Sequence, residues 1–187
     1  MTFPVFLDTC VLYPATLSDL LLRMAETGIY TPHWSQDVLT ELERNLARVA
    51  TAGGEGARRR VAAMSRAFPE ASVIGYSSLV DGMTCDPKDR HVLAAAVQSG
   101  SQVIVTFNLK DFPPSSLTPY EIAAVSPDDF LLDQLDLYPT PTVRSLIAQS
   151  KDSRRPHLTP QKLLTALERC GVPRFAAEVR RKVDLTA

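Results

Sequence analysis

Hydrophobic positions along the chain alternate between short uninterrupted apolar runs and longer stretches with helical spacing. In FPVFLDTCVLYPA the run Val5 to Leu7 stops at Asp8, which predicts a buried strand. TLSDLLLRMAETG follows with helical spacing and is closed by Gly28. SQDVLTELERNLARVA predicts a second helix, capped by Ser35, with an apolar stripe through Val38, Leu42, Leu46 and Val49. TAGGEG breaks the pattern, ARRRVAAMSRAF predicts a third helix, and ASVIGY a short strand. DPKDRHVLAAAV then predicts a helix, QVIVTF a strand, NLKDFPPSS a loop and IAAV another short strand. SPDDFLLDQL, with Ser126 as its cap, is the last helix of the body. Strand-like runs alternating with helices predict an α/β fold with a central, mainly parallel sheet. YPTPTV, residues 138–143, is expected to be a proline-rich joint. Two or three short helices follow it, over VRSLIAQS, PQKLLTALERCG with Gly171 as its C-cap, and PRFAAEVRRKV. These features suggest a body over residues 1–137 and a helical extension over 138–187.

At 187 residues and 45% hydrophobic, the chain has the composition of a soluble globular protein with one sizeable core. The net charge of −1 conceals an asymmetry. Residues 1–143 carry 10 Lys and Arg against 17 Asp and Glu, a balance of −7; residues 144–187 carry 10 against 4, a balance of +6. An acidic body with a basic tail suits a phosphate-bearing substrate or an acidic partner, although a solvated helical tail has the same composition. Cys10, Cys85 and Cys170 lie far apart, which argues against a disulfide framework or zinc site and for a reducing compartment. There is no basic segment followed by a long apolar stretch at the start and no run long enough to span a membrane, so the cytoplasm is the expected location.

The acids carry the chemistry. In a parallel α/β sheet, functional crevices lie at the carboxyl ends of the strands. Asp8 ends the first strand, and Asn108 and Asp111 follow QVIVTF; each alone is also ordinary turn chemistry. In DPKD, Asp86 suits an N-cap and Pro87 the first helical position. Asp89 differs, because Val92 and Leu93 lie three and four residues on and share its face. A carboxylate on an apolar face is costly unless paired, so Asp89 calls for a cation. Glu41 flanks its helix's apolar stripe, where it can pair with Arg44 or Asn45 or lean toward Asp8. Carboxylates that converge must take up protons or bind divalent cations, and hard oxygen donors suit Mg²⁺ or Mn²⁺. His33, His91 and His157 have no metal-ligand spacing.

FLDTCVLYPATLSDLLLRMA, VLTELERNL, DPKDRHVLAAAV and VIVTFNLKDFP, in this order and spacing, resemble the motifs of PIN-domain nucleases, most of all the VapC-like toxins of bacterial toxin–antitoxin pairs. The resemblance covers about residues 1–137. It implies a flavodoxin-like three-layer α/β/α fold and RNA cleavage dependent on Mg²⁺ or Mn²⁺. It places catalytic, metal-binding acids at Asp8, Glu41, Asp89 and Asp111, with Asp86 as the alternative to Asp111, and polar loop support at Thr106 and Asn108. Cys10 departs from the Asn or Ser frequent at that position. The family further implies a cognate antitoxin and frequent homodimers. Arg144, Arg154, Arg155, Arg174, Arg180, Arg181 and Lys182 are candidates for guiding RNA through its phosphates.

Competing chemistries fit less well. An aspartyl phosphatase built on Asp8 requires an aspartate two residues on, where Cys10 stands. A cysteine phosphatase requires five residues between cysteine and arginine, and Cys85 and Arg90 have four between them. The remaining alternative is a PIN-like RNA-binding or scaffold module without catalysis.

Overall fold

A computed structural model describes residues 2–49, 54–153 and 158–182. Five strands, β1 (Phe3–Leu7), β2 (Tyr30–Ser35), β3 (Ser72–Val73), β4 (Val103–Val105) and β5 (Ala123–Val125), form one parallel sheet in the order β3-β2-β1-β4-β5. The helices are α1 (Thr9–Leu12), α2 (Ala15–Glu26), α3 (Gln36–Val49), α4 (Glu55–Ala67), α5 (Arg90–Gln98), α6 (Pro114–Leu117), α7 (Pro127–Leu137), α8 (Pro139–Asp152), α9 (Pro160–Arg169) and α10 (Pro173–Lys182).

The chain forms two compact units. The first holds residues up to Tyr13 and Tyr30–Val125, and contains the whole sheet. Its strand order sends β1 to β2 and β3 on one side, then returns the chain to β4 on the other side of β1. Right-handed crossovers therefore put α3 and α4 on one face of the sheet and α5 on the opposite face. The reversal leaves a switch point between the carboxyl ends of β1 and β4, the place where such sheets bind ligands. Val5, Phe6, Leu7, Ile104 and Val105 are fully buried, as the uninterrupted apolar runs require. So is Trp34, packed edge-on to Phe68 with ring centroids 6.0 Å apart. Val92 through Ala96 on α5 are all buried, and the small side chains let this helix lie close to its neighbours.

Several elements differ from the sequence expectation. The pattern gave no sign of β2, because YTPHWS carries a proline and polar residues in a central strand. β3 pairs only with Trp34 and Ser35, so Pro32 lies beyond that ladder and its missing donor costs nothing there. The α3 stripe also ends earlier than expected: Val38 and Leu42 are fully buried, but Val49 is 69% exposed. The expected joint at 138–143 is the start of α8, since Pro139 and Pro141 occupy its first turn, where no backbone donor is needed.

The second unit joins Pro14–Ile29 to the chain from Ser126 onward. Ser126 caps α7 by accepting from the Asp129 amide at 3.1 Å. Asp128, buried, accepts from the backbone amides of Arg174 (3.1 Å) and Phe175 (2.8 Å), so α7 caps the start of α10 across 46 residues of sequence. The Gln149 amide donates to the Thr16 carbonyl at 2.8 Å, tying α8 to α2. Leu17, Leu20, Leu21, Leu163, Leu167 and Phe175 are fully buried. Among the described residues no helix is long and apolar enough to cross a membrane.

Candidate active site at the switch point

Asp8 is the first residue after β1 and is 4% exposed. Its backbone carries the turn: the amide donates to the Val105 carbonyl at 3.2 Å, and its own carbonyl accepts from Val11 and Leu12 to start α1. Its carboxylate accepts from Thr106 Oγ1 at 2.7 Å and from Cys10 Sγ at 3.1 Å. Thr106, fully buried, also accepts from the Asn108 amide at 3.0 Å. One hydroxyl thus joins the ends of β1 and β4 and fixes the Asp8 rotamer. Cys10 Sγ accepts from the Phe107 amide at 3.2 Å, and so stands in the polar network where a hydroxyl or amide would serve. Burial, reinforced by the Asp8 charge, pushes its thiol up to about 12, so it remains protonated and donates to Asp8.

Glu41 reaches the same place from α3, its Oε2 accepting from Thr9 Oγ1 at 2.9 Å. Asp86 and Asp89 divide the roles their spacing suggested. The Asp86 carboxylate accepts from the Lys88 amide at 3.1 Å and caps a single 3₁₀ turn, Pro87–Asp89. Asp89 makes no such bond and precedes α5. It is 9% exposed, and its Oδ2 is buried without a hydrogen-bond partner. Burial first, then the Asp8 charge, raise its carboxyl to about 6, against the opposing Lys88.

Asp8, Glu41, Asp89 and Asn108 line one cleft of about 960 Å³, together with Tyr13, Arg44, Asn45, Arg48, Lys88 and His91. Thr106 lies behind Asp8, and Asp111 is outside the lining. Asp111 is buried and held by Lys88 Nζ at 2.9 Å, and the same ammonium stands 3.7 Å from Asp89 Oδ2. Sequence reasoning missed Lys88, Tyr13, His91 and Arg48 as cleft residues. The Arg44–Arg48 spacing alongside Glu41 was the available signal for one of them.

The tail candidates lie in the second unit. Arg174 pairs with Asp129, Arg180 with Glu168, Arg181 with Glu178, and Lys182 with Asp136 and Glu178. Arg144 is exposed on α8, whereas Arg154 and Arg155 lie outside the described residues.

A parallel sheet ordered in this way, with acids gathered at its switch point, defines a class that the comparisons identify. The chain belongs to the PIN-domain family, whose model matches residues 4–110. A second family model, the VapC50 C-terminal domain, matches residues 127–181. Among curated proteins the chain is similar to "Putative ribonuclease VapC50" of Mycobacterium tuberculosis (strain ATCC 25618 / H37Rv), 50% identical over 111 residues. That match takes in 59% of this chain and 65% of the relative, so it spans slightly less than two thirds of the relative's length. No solved structure matches the chain.

Proposed function

We propose that the chain is a ribonuclease dependent on Mg²⁺ or Mn²⁺ that hydrolyses RNA phosphodiesters, and that it is the toxin of a type II toxin–antitoxin module. On this reading residues 1–137 carry the chemistry in the cytoplasm, 138–187 form a basic extension, and a cognate antitoxin holds the activity in check, with a homodimer as the working assembly. The observation that carries the reading is Asp89: a buried carboxylate oxygen without a donor, beside Asp8, in a cleft that Glu41 also lines.

The donor set fits a divalent cation. Asp8, Asp89 and Glu41 offer hard oxygens, and Asp89 Oδ2 accepts no hydrogen bond, with Lys88 Nζ at 3.7 Å as its counter-charge. Among the described residues no group of three or more His, Cys, Asp and Glu side chains is already arranged as a cage. A bound Mg²⁺ would therefore take few ligands from the protein and keep several waters. Asp8 and Asp89 would be the principal ligands and Glu41 an outer one. Asp111 joins them if Lys88 releases it; Asp86, spent on its cap, is the poorer choice. The bound ion would supply Lewis acidity and lower the pKa of a coordinated water. Thr106 and Cys10 hold Asp8 with its carboxylate fixed, and Thr9 does the same for Glu41. Asn108, which lines the same cleft, would orient an attacking water or a phosphate oxygen. Arg144, Arg154, Arg155, Arg174, Arg180, Arg181 and Lys182 remain proposed RNA contacts, since exposed ion pairs are weak enough to exchange for phosphates. Charge reversal there that left RNA binding and its salt dependence intact would remove them.

A second reading, a PIN-like RNA-binding or scaffold module without cleavage, is favoured by one observation: Lys88 Nζ already sits on Asp111 and near Asp89, as an internal counter-ion. Thermal stability against Mn²⁺ separates the two. A working site gains stability at millimolar ion and loses the gain in Asp89→Asn, whereas a module that leaves the acids unused gains none.

A further inference from the structure

The cleft has a second character beyond its acids. Glu41, Arg44, Asn45 and Arg48 lie at positions i, i+3, i+4 and i+7 of α3, one face of one helix, and all four line it. Arg23, Arg58, Arg59, Arg174, Arg180 and Arg181 are each ion-paired with a carboxylate. Arg44 and Arg48 have no ion pair or hydrogen bond among the described residues, and both are exposed. Two unneutralised guanidiniums thus stand beside a cluster of acids without having collapsed onto it. They are offset by one helical turn, about 6 Å along the axis, which suits consecutive phosphates of one strand. A polyanion entering an acidic cleft is repelled, so a nuclease must grip the phosphates that flank the one it attacks. A forked guanidinium does this better than a lysine, because it donates two parallel bonds to phosphate oxygens. Tyr13, at the end of α1, adds a ring 36% exposed in the same cleft. Its backbone is held, since Arg60 donates to the carbonyls of Leu12 and Tyr13. An exposed aromatic residue in the same cleft as arginines is the combination by which proteins hold unpaired bases and single strands.

We propose that Arg44 and Arg48 grip two successive phosphates of a single-stranded RNA segment, whose adjoining base stacks on Tyr13. This rests on the ribonuclease reading above and adds to it the residues that hold the strand and a track along α3.

The test is binding of a labelled single-stranded oligoribonucleotide to the full chain in chelator, where the proposed cleavage is off, titrated across salt. Two lost phosphate contacts on a single strand should reduce the slope of log K against log salt by about 1.4 in R44E/R48E. Between roughly 50 and 200 mM salt, wild type then loses about sevenfold more affinity than the variant. R58E/R59E, on α4, makes the same change of charge away from the cleft and should leave the slope unchanged. Tyr13→Ala should weaken the single strand about tenfold, and Tyr13→Phe should not. Unchanged Trp34 fluorescence confirms that each variant is folded. A slope unaffected by R44E/R48E overturns the proposal. Should that variant instead lose an Asp/Glu-rich peptide, the arginines serve a protein partner. Failure of the ribonuclease reading shows separately, as RNA left intact by wild type once Mn²⁺ replaces chelator.

Discussion

Asp89→Asn should make the metal-free protein more stable at neutral pH while abolishing its function. Asp89 is buried beside Asp8, and its carboxyl is raised from 3.8 to about 6. A folded-state value above the unfolded one means that the folded chain holds a proton which the unfolded chain releases. Below about pH 4 both states are protonated and the group contributes nothing. As pH rises from about 4 to about 6, stability falls, and above pH 6 the full penalty is in place. At ~1.36 kcal/mol per pH unit, the rise from 3.8 to about 6 caps the penalty at roughly 3 kcal/mol, and solvent screening in the open cleft brings it to about 1–2 kcal/mol. Asparagine carries no charge, so Asp89→Asn recovers that amount at pH 7.5 in chelator and nothing at pH 4. A divalent cation recovers it in wild type alone. Urea denaturation followed by fluorescence is the assay. The single tryptophan, Trp34, is buried in β2, so the signal reports the unit that holds the site. Equal stability of wild type and variant at pH 7.5 in chelator would refute the reasoning, because Asp89 would then carry no burial penalty for a cation to relieve.

Other consequences follow from the same geometry. Thr106→Val removes the hydroxyl that holds Asp8, and should cost about tenfold in Mn²⁺ affinity by calorimetry, with Thr106→Ser close to wild type. Lys88→Met removes the internal counter-ion from Asp111 and Asp89, and should tighten Mn²⁺ binding several-fold by calorimetry, because a positive charge no longer competes for the acids; weaker binding would make Lys88 a ligand-positioning residue instead. Asp128→Ala leaves the first amides of α10 unpaired, and should cost about 1–3 kcal/mol, seen as faster amide exchange in α10.

The sequence revealed some parts of this structure more readily than others. β1 and β4 were legible because uninterrupted apolar runs ending in a polar residue have few other uses in an α/β chain. β2 was not, since Pro32 and His33 break the run, and only the shortness of β3 makes the proline harmless. At 138–143 the chain does pass from one helix to the next, but the break is the single residue Tyr138, and Pro139 and Pro141 already belong to the first turn of α8. The contrast between Asp86 and Asp89 could be read from spacing alone, because a cap residue precedes the turn and a face residue lies within it. Lys88 could not be read this way. Its ammonium reaches Asp111, 23 residues away, a contact that spans the whole of α5 and β4. The basic tail illustrates the opposite limit: its charge count was visible, but not that Arg174, Arg180, Arg181 and Lys182 would meet acids within the same unit.

Metal-dependent cleavage of RNA at the β1–β4 switch point is the property on which the proposed function stands. The most direct measurement is incubation of purified full chain with total cellular RNA in Mg²⁺ or Mn²⁺, with fragment ends sequenced, beside chelator and the Asp8→Asn and Asp89→Asn variants. Discrete cuts within unpaired RNA, lost in all three controls, are the expected result. Intact RNA from a folded, inhibitor-free protein that Mn²⁺ does not stabilise would contradict it, and would leave a PIN-domain module that does not cut RNA.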